Sequence, residues 1–202
     1  MAVVVTVDEQ RSRKAGGTRA PELSRSLNAD AEIRTILPFE VTVGDELQGV
    51  LYDSKPLVAV LRGIARTGRW WVGIGFGSID FVGSSARTST GSAFLHARQA
   101  VDRAKKLPWG VAVEGDESPL VRNLHGAIAL WMTILQMRSA RGWETVDLRR
   151  RALSEAEIAD RLGVTQQAVN QRLRAALYGQ DEEGASLIDS IGAAIPAEVQ
   201  AQ

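Results

Sequence analysis

Gln166, Gln167, Asn170, Gln171 and Arg174 recur at spacings that place them on one face of a helix. They share one kind of chemistry. An amide side chain can pair with the major-groove edge of adenine, and a guanidinium can donate twice to guanine, so the set suits base reading on double-stranded DNA. An idle helix surface usually mixes Glu with Lys, whereas no acid occurs between Thr165 and Tyr178. Upstream, Arg149, Arg150 and Arg151 can neutralise phosphates, a contact that positions a protein on DNA without specifying sequence.

A second constellation lies in VTVGDELQGVL, residues 41–51, where apolar runs flank Gly44-Asp45-Glu46. Glycine tolerates positive φ and aspartate bonds its own backbone, so Gly44-Asp45 reads as a hairpin tip on turn chemistry alone. The other reading makes Asp45 part of a metal and nucleotide site. Other chemistry is excluded by composition. The chain has no cysteine, which removes disulfides, thiolate zinc sites and cysteine nucleophiles together. His96 and His125 are too far apart for a paired-ligand motif and read as core or partly exposed side chains.

These residues need elements to hold them. Hydrophobic content of 45% with 24% charged residues is that of a globular chain, and no run approaches the ~20 apolar residues that span a bilayer. MAVVVTV is too short for a signal sequence, and the expectation is a cytoplasmic protein with no membrane partner. Residues 2–7 form a β-branched run without helical period, expected as a buried central strand ending at Asp8. Helix is expected over 22–35, 56–66, 92–106 and 121–137, and strand over 38–43, 47–52, 69–77 and 109–113. The glycines of GIGFG imply that something packs closely on that strand.

In SEAEIADRLGVTQQAVNQRLRAAL, Ser154 and Glu157 have capping-box spacing, so a helix should start there and run to Leu162. Gly163 ends it where a left-handed residue is wanted, and Thr165 caps a second helix with a buried stripe of Val169, Leu173 and Leu177. This is a helix-turn-helix. Charge divides this end of the chain: residues 138–177 hold eight arginines against five acids, and 181–202 hold five acids and no basic residue. The basic part and the acidic tail are expected to do different things.

Ala159, Gly163 and Val169 resemble the crossing, turn and core positions of the helix-turn-helix in many bacterial regulators and in sigma-factor region four. The N-terminal pieces resemble the fold shared by GGDEF domains and class III nucleotidyl cyclases, with Val7-Asp8 ending a strand and Gly44-Asp45 at a hairpin tip. That resemblance implies Asp8 and Asp45 as ligands of a divalent metal, with magnesium and a nucleotide as the cofactors, and Gly44, Asp45 and Arg98 against the nucleotide. Over nearly the whole chain the order is similar to the SatD family: Asp8 with Ser12-Arg13, the Gly-Asp-Glu hairpin, Gly73-Ile74-Gly75, Ala97-Arg98 and a terminal helix-turn-helix.

Departures bear on catalysis. Val41 stands where such cyclases carry a base-recognising lysine, Leu95 and Gln99 where they carry an Asn and an Arg, and Val43 where GGDEF has its first glycine. Losing groups that stabilise developing charge costs rate more than binding, which favours a sensor over a catalyst. The expected fold class is α/β (α+β): a cyclase-like or GGDEF-like sheet domain over 1–117, a connecting or dimerising helix over 118–140, an all-α helix-turn-helix domain over 141–180, and an acidic tail over 181–202, helical and then disordered. The expected function is a homodimeric DNA-binding transcriptional regulator sensing a nucleotide or metal. The alternatives are a nucleotide-processing enzyme with the helix-turn-helix as an address, and a ligand-free dimeric scaffold.

Overall fold

Alternation sets the first strand. In the computed structural model, which describes residues 2–10, 19–42, 44–68 and 70–195, Ala2–Glu9 forms β1 and buries Val3, Val5 and Val7 on one face and Val4 and Thr6 on the other. A strand buried on both faces belongs in the middle of a sheet. The elements that follow are α1 (Ala20–Ala29), β2 (Thr35–Val41), β3 (Glu46–Leu51), α2 (Leu57–Thr67), β4 (Trp70–Gly77), α3 (Ser92–Ala104) and β5 (Val111–Glu114). The five strands order as β2-β3-β1-β4-β5, antiparallel except for the parallel pair β4 and β5. The first six elements thus make a split βαβ unit of the ferredoxin-like kind, and α3 carries the chain from β4 to its parallel neighbour. The fold is mixed α/β, as expected. The helix expected over 22–35 stops at Ala29 because β2 begins at Thr35, with Ile33 buried in the loop between them.

Two layers cover the sheet. Val3, Val5 and Val7 join Leu23 of α1, Leu61 of α2 and Leu124 of α4 (Pro119–Met137) in one core. Val4 joins Ala93 and Ala97 of α3 on the opposite face. There Gly73, Gly75 and Gly77 let the α3 backbone approach the sheet. A Cβ at Gly75 would stand 2.2 Å from both the Ala93 carbonyl oxygen and the Ala97 nitrogen, and one at Gly73 would stand 2.3 Å from the Val101 nitrogen.

The C-terminal part is helical: α5 (Ala140–Arg150), α6 (Glu155–Leu162), α7 (Gln166–Ala175) and α8 (Tyr178–Ala194). Val146, Ile158, Val169, Leu173 and Ala176 make a separate small core among α5, α6 and α7. The acidic segment is not a free tail. Its helix α8 returns to the first unit and buries Ala185 and Ile188, with Ile195 just past its end, in the core shared with β1, α2 and α4. Gly184 lies against the Trp131 ring, where a Cβ would come within 2.5 Å of Cδ1. The disorder expected at the end of the tail falls on 196–202, outside the described residues. Among the described residues no helix is long and apolar enough to cross a membrane.

The glycine stripe gives the first test. Gly75→Ala should lower the free energy of urea unfolding by about 3 kcal/mol, the upper end for overpacking, because the clash is with backbone atoms that cannot turn aside. Gly126→Ala on the exposed side of α4, where a Cβ would meet nothing within 4 Å, should instead stabilise by about 0.5–1 kcal/mol. Equal effects from the two would refute the close α3 packing.

Candidate functional site

Local chemistry builds the helix-turn-helix step by step. Ser154 caps α6: the Glu157 backbone N–H donates to Ser154 Oγ at 3.3 Å, while Ser154 N and Oγ donate to Glu157 Oε2 at 2.8 and 2.7 Å. Those bonds, from the hydroxyl first and the backbone second, hold the Glu157 carboxyl below its ordinary pKa. Gly163 ends α6 at φ 62°, and the Ala168 N–H donates to Thr165 Oγ1 at 3.1 Å to cap α7. Val169 and Leu173 are buried as the stripe requires. The third expected member is displaced: α7 stops at Ala175, Ala176 takes the core place, and half-buried Leu177 turns left-handed at φ 53° to start α8.

Facing outward from α7 are Gln166, Gln167, Gln171 and Arg174, all exposed. Asn170 is partly buried and donates to Glu155 Oε1 at 3.3 Å, which ties it to the start of α6. The three arginines do not act as one set. Arg149 donates to the Leu153 carbonyl at 2.9 Å and borders a recess with Asn170 and Arg174. Arg150 points the other way, toward Glu32 at 3.7 Å and Glu182 at 3.9 Å, and lines with Arg151 a different cleft, beside α2. Successive helical residues are turned by about 100°, so a consecutive triplet cannot share a face.

At the other end of the molecule, Asp8 stands opposite Glu46 in the β1–β3 register. Lys105, one residue beyond α3, lies 2.7 Å from Asp8 Oδ2 and 3.7 Å from Asp102, and Arg98 of α3 pairs with Glu46. Sequence reasoning missed Glu46 and Lys105. Glu46 was within reach, since it heads the strand that must pair with β1, but Lys105 sits nearly a hundred residues from Asp8. Gly44 has φ +65°, the turn conformation expected of it, and Asp45 sits half-buried at the tip. Ser12, Arg13 and Val43 lie outside the described residues.

Asp8 and Glu46 offer the hard oxygens a divalent cation prefers, but in this arrangement Lys105 and Arg98 already match their charge. Among the described residues no group of three or more His, Asp or Glu side chains is placed to hold a metal. A cation there would have to take the place of the lysine. His96 contacts the Phe76 carbonyl through Nδ1 at 2.6 Å, a half-buried structural role, and burial followed by the nearby Arg103 lowers the His125 pKa. Neither histidine adjoins the carboxylates by any ion pair or hydrogen bond among the described residues, His96 standing 3.9 Å from Asp116 instead.

No protein-family model matches the chain, and no curated protein matches it.

Lys105 has its pKa raised above 10.5, chiefly by the hydrogen bond to Asp8 and against the opposing effect of burial. A raised lysine stabilises the fold fully below its unfolded-state value, and the gain is lost as pH rises through the folded value. At neutral pH, Lys105→Met should cost about 0.2–1 kcal/mol, small because the pair is partly exposed and screened by solvent. That difference should close as pH climbs past 10.5 in paired urea-unfolding curves. A difference independent of pH would mean that the lysine acts through packing alone.

Proposed function

We propose that this chain is a cytoplasmic DNA-binding regulator that places α7 in the major groove. The observation that carries the reading is the exposed, acid-free face of Gln166, Gln167, Gln171 and Arg174 on a helix whose start, turn and core contacts are those of a helix-turn-helix. Amides and a guanidinium read base edges, and Arg149, bordering the same side, contacts phosphate. The protein acts as a homodimer on paired half-sites, because one such helix covers only a few base pairs. In the helix expected to connect or dimerise, Trp131 and Leu135 are buried within the chain; Leu130 and Met137, 74% and 75% exposed, remain available on α4.

A second reading concerns the sheet unit. The split βαβ order, with Asp8 at the end of the central strand and Gly44-Asp45 at the hairpin tip, supports the likeness to cyclase and GGDEF domains, and the trihelical end supports the SatD-like one. Asp8 and Glu46 are the carboxylates for magnesium, and Lys105 and Arg98 are the cations for nucleotide phosphates, each pair neutralising the other until the ligand arrives. This favours sensing over turnover. A magnesium-dependent melting shift with ATP or GTP, lost in Asp8→Asn, checks it, and release of product from either nucleotide would favour the enzyme instead.

For DNA the test uses sites selected from a random duplex pool. Gln167→Ala and Gln171→Ala should each reduce discrimination between selected and random DNA about tenfold, within the roughly 1–3 kcal/mol of a bidentate base contact. Arg149→Ala should weaken both kinds of DNA alike, and its effect should shrink as salt rises. Failure of the pool to enrich any site, or equal losses for all three variants, would overturn the assignment.

A further inference from the structure

Between α2 and α5 lies a cleft of about 450 Å³, within the range of small-molecule sites. On α2, Ala59, Arg62, Gly63 and Arg66 follow the spacing of one helical face, so two small residues leave the floor open between two arginines. From α5, Trp143, Arg150 and the C-cap Arg151 close the opposite wall. The cleft therefore spans both units of the molecule, lined by four arginines and by the carboxylates of Asp30, Glu32 and Asp147.

Those arginines are not equally committed. Arg62 is held on the Asp181 carboxylate at 2.7 Å, and Arg66 is paired with Asp147 while its guanidinium lies 5.8 Å from the Trp143 ring centroid. Arg62, 12% exposed and also 2.9 Å from Glu182, is a fixed wall, whereas Arg66 is 48% exposed with its charge matched by Asp147. Arg150 meets Glu32 and Glu182 at 3.7 and 3.9 Å, both longer than a hydrogen bond, and the two carboxylates are 68% and 48% exposed. Arg151 forms no ion pair among the described residues. Exposed pairs of this kind contribute only about 0–1 kcal/mol, so an anion can displace them at little cost. Guanidinium groups match phosphate oxygens in pairs, in charge-assisted hydrogen bonds stronger than neutral ones.

We propose that this cleft binds a small phosphorylated anion, with the phosphate taken by Arg150 and Arg151 beside the fixed Arg62 and the paired Arg66. The ligand touches α2 of the sheet unit and α5, the helix on which α6 and α7 pack, and so bridges the two. The site does not depend on the DNA reading, because its binding is measured without DNA.

Isothermal titration of the full chain with inorganic pyrophosphate, in phosphate-free buffer of low ionic strength, tests it. The native chain should bind saturably. Arg150→Gln combined with Arg151→Gln should weaken binding at least tenfold, and Arg151→Gln alone, at the exposed end of α5, by an intermediate factor. Arg87→Gln, an exposed arginine outside the cleft lining, should leave affinity unchanged. Absence of saturable binding at millimolar pyrophosphate overturns the proposal. So does native affinity in the double variant, or an equal loss in Arg87→Gln, which would mark the binding as general attraction to basic surface.

Discussion

Asp181, in the first turn of α8, is wholly buried, and side chains from α2, α4 and the turn into α5 meet on it. Its Oδ1 accepts from Arg62 Nη2 at 2.7 Å and Trp131 Nε1 at 2.9 Å, and its Oδ2 accepts from Arg138 Nη2 at 2.9 Å. Arg138 also donates through Nε and Nη2 to the Ala176 carbonyl at 3.0 and 2.9 Å, and its guanidinium lies 4.5 Å from the Trp143 centroid. One carboxylate thus joins α2, α4, the turn into α5 and the start of α8, and through Arg138 the end of α7. Charge taken out of water is costly unless it is paired and hydrogen-bonded, and here only Arg138 Nη1 lacks a partner. Asp181 fixes how the trihelical end sits on the sheet. The direction in which α7 points, and the width of the cleft between α2 and α5, follow from that seat.

The same cluster explains what could be read from the sequence and what could not. The helix-turn-helix was legible because its determinants are local: the Ser154–Glu157 box, Gly163 in the left-handed turn and Val169 four residues past Thr165. The glycine strand was legible too, since only a close neighbour justifies Gly73, Gly75 and Gly77 in β4. In the acidic segment the burial was not legible, because average charge says nothing of which acid is buried. Asp181 supplies one of the five acidic charges of 181–202, yet it is wholly buried while Glu182, Glu183 and Asp189 are exposed.

Candidate site residues divide along the same line. α7 needed only helical periodicity to show its outward face, except at Asn170, which is partly buried against Glu155. Arg149, Arg150 and Arg151 were grouped by sequence proximity, although rotation along α5 sends Arg149 toward α7 and Arg150 toward the sheet unit. For the carboxylates, the β1–β3 register was decisive: it sets Glu46 opposite Asp8 and leaves Asp45 on the turn. The lysine on Asp8 comes from the far end of α3, a long-range contact that no local motif encodes.

If the seat on Asp181 is what unites the molecule, its charge must matter more than its volume. Urea unfolding of Asp181→Asn, followed by far-ultraviolet circular dichroism, measures this directly, because the amide keeps the shape, leaves buried Arg138 without a counter-charge and leaves Arg62 only Glu182. The expected loss is about 3–5 kcal/mol relative to the native chain, as for breaking a buried ion pair. A variant within about 0.5 kcal/mol of native stability, the range of an ordinary surface substitution, would contradict it.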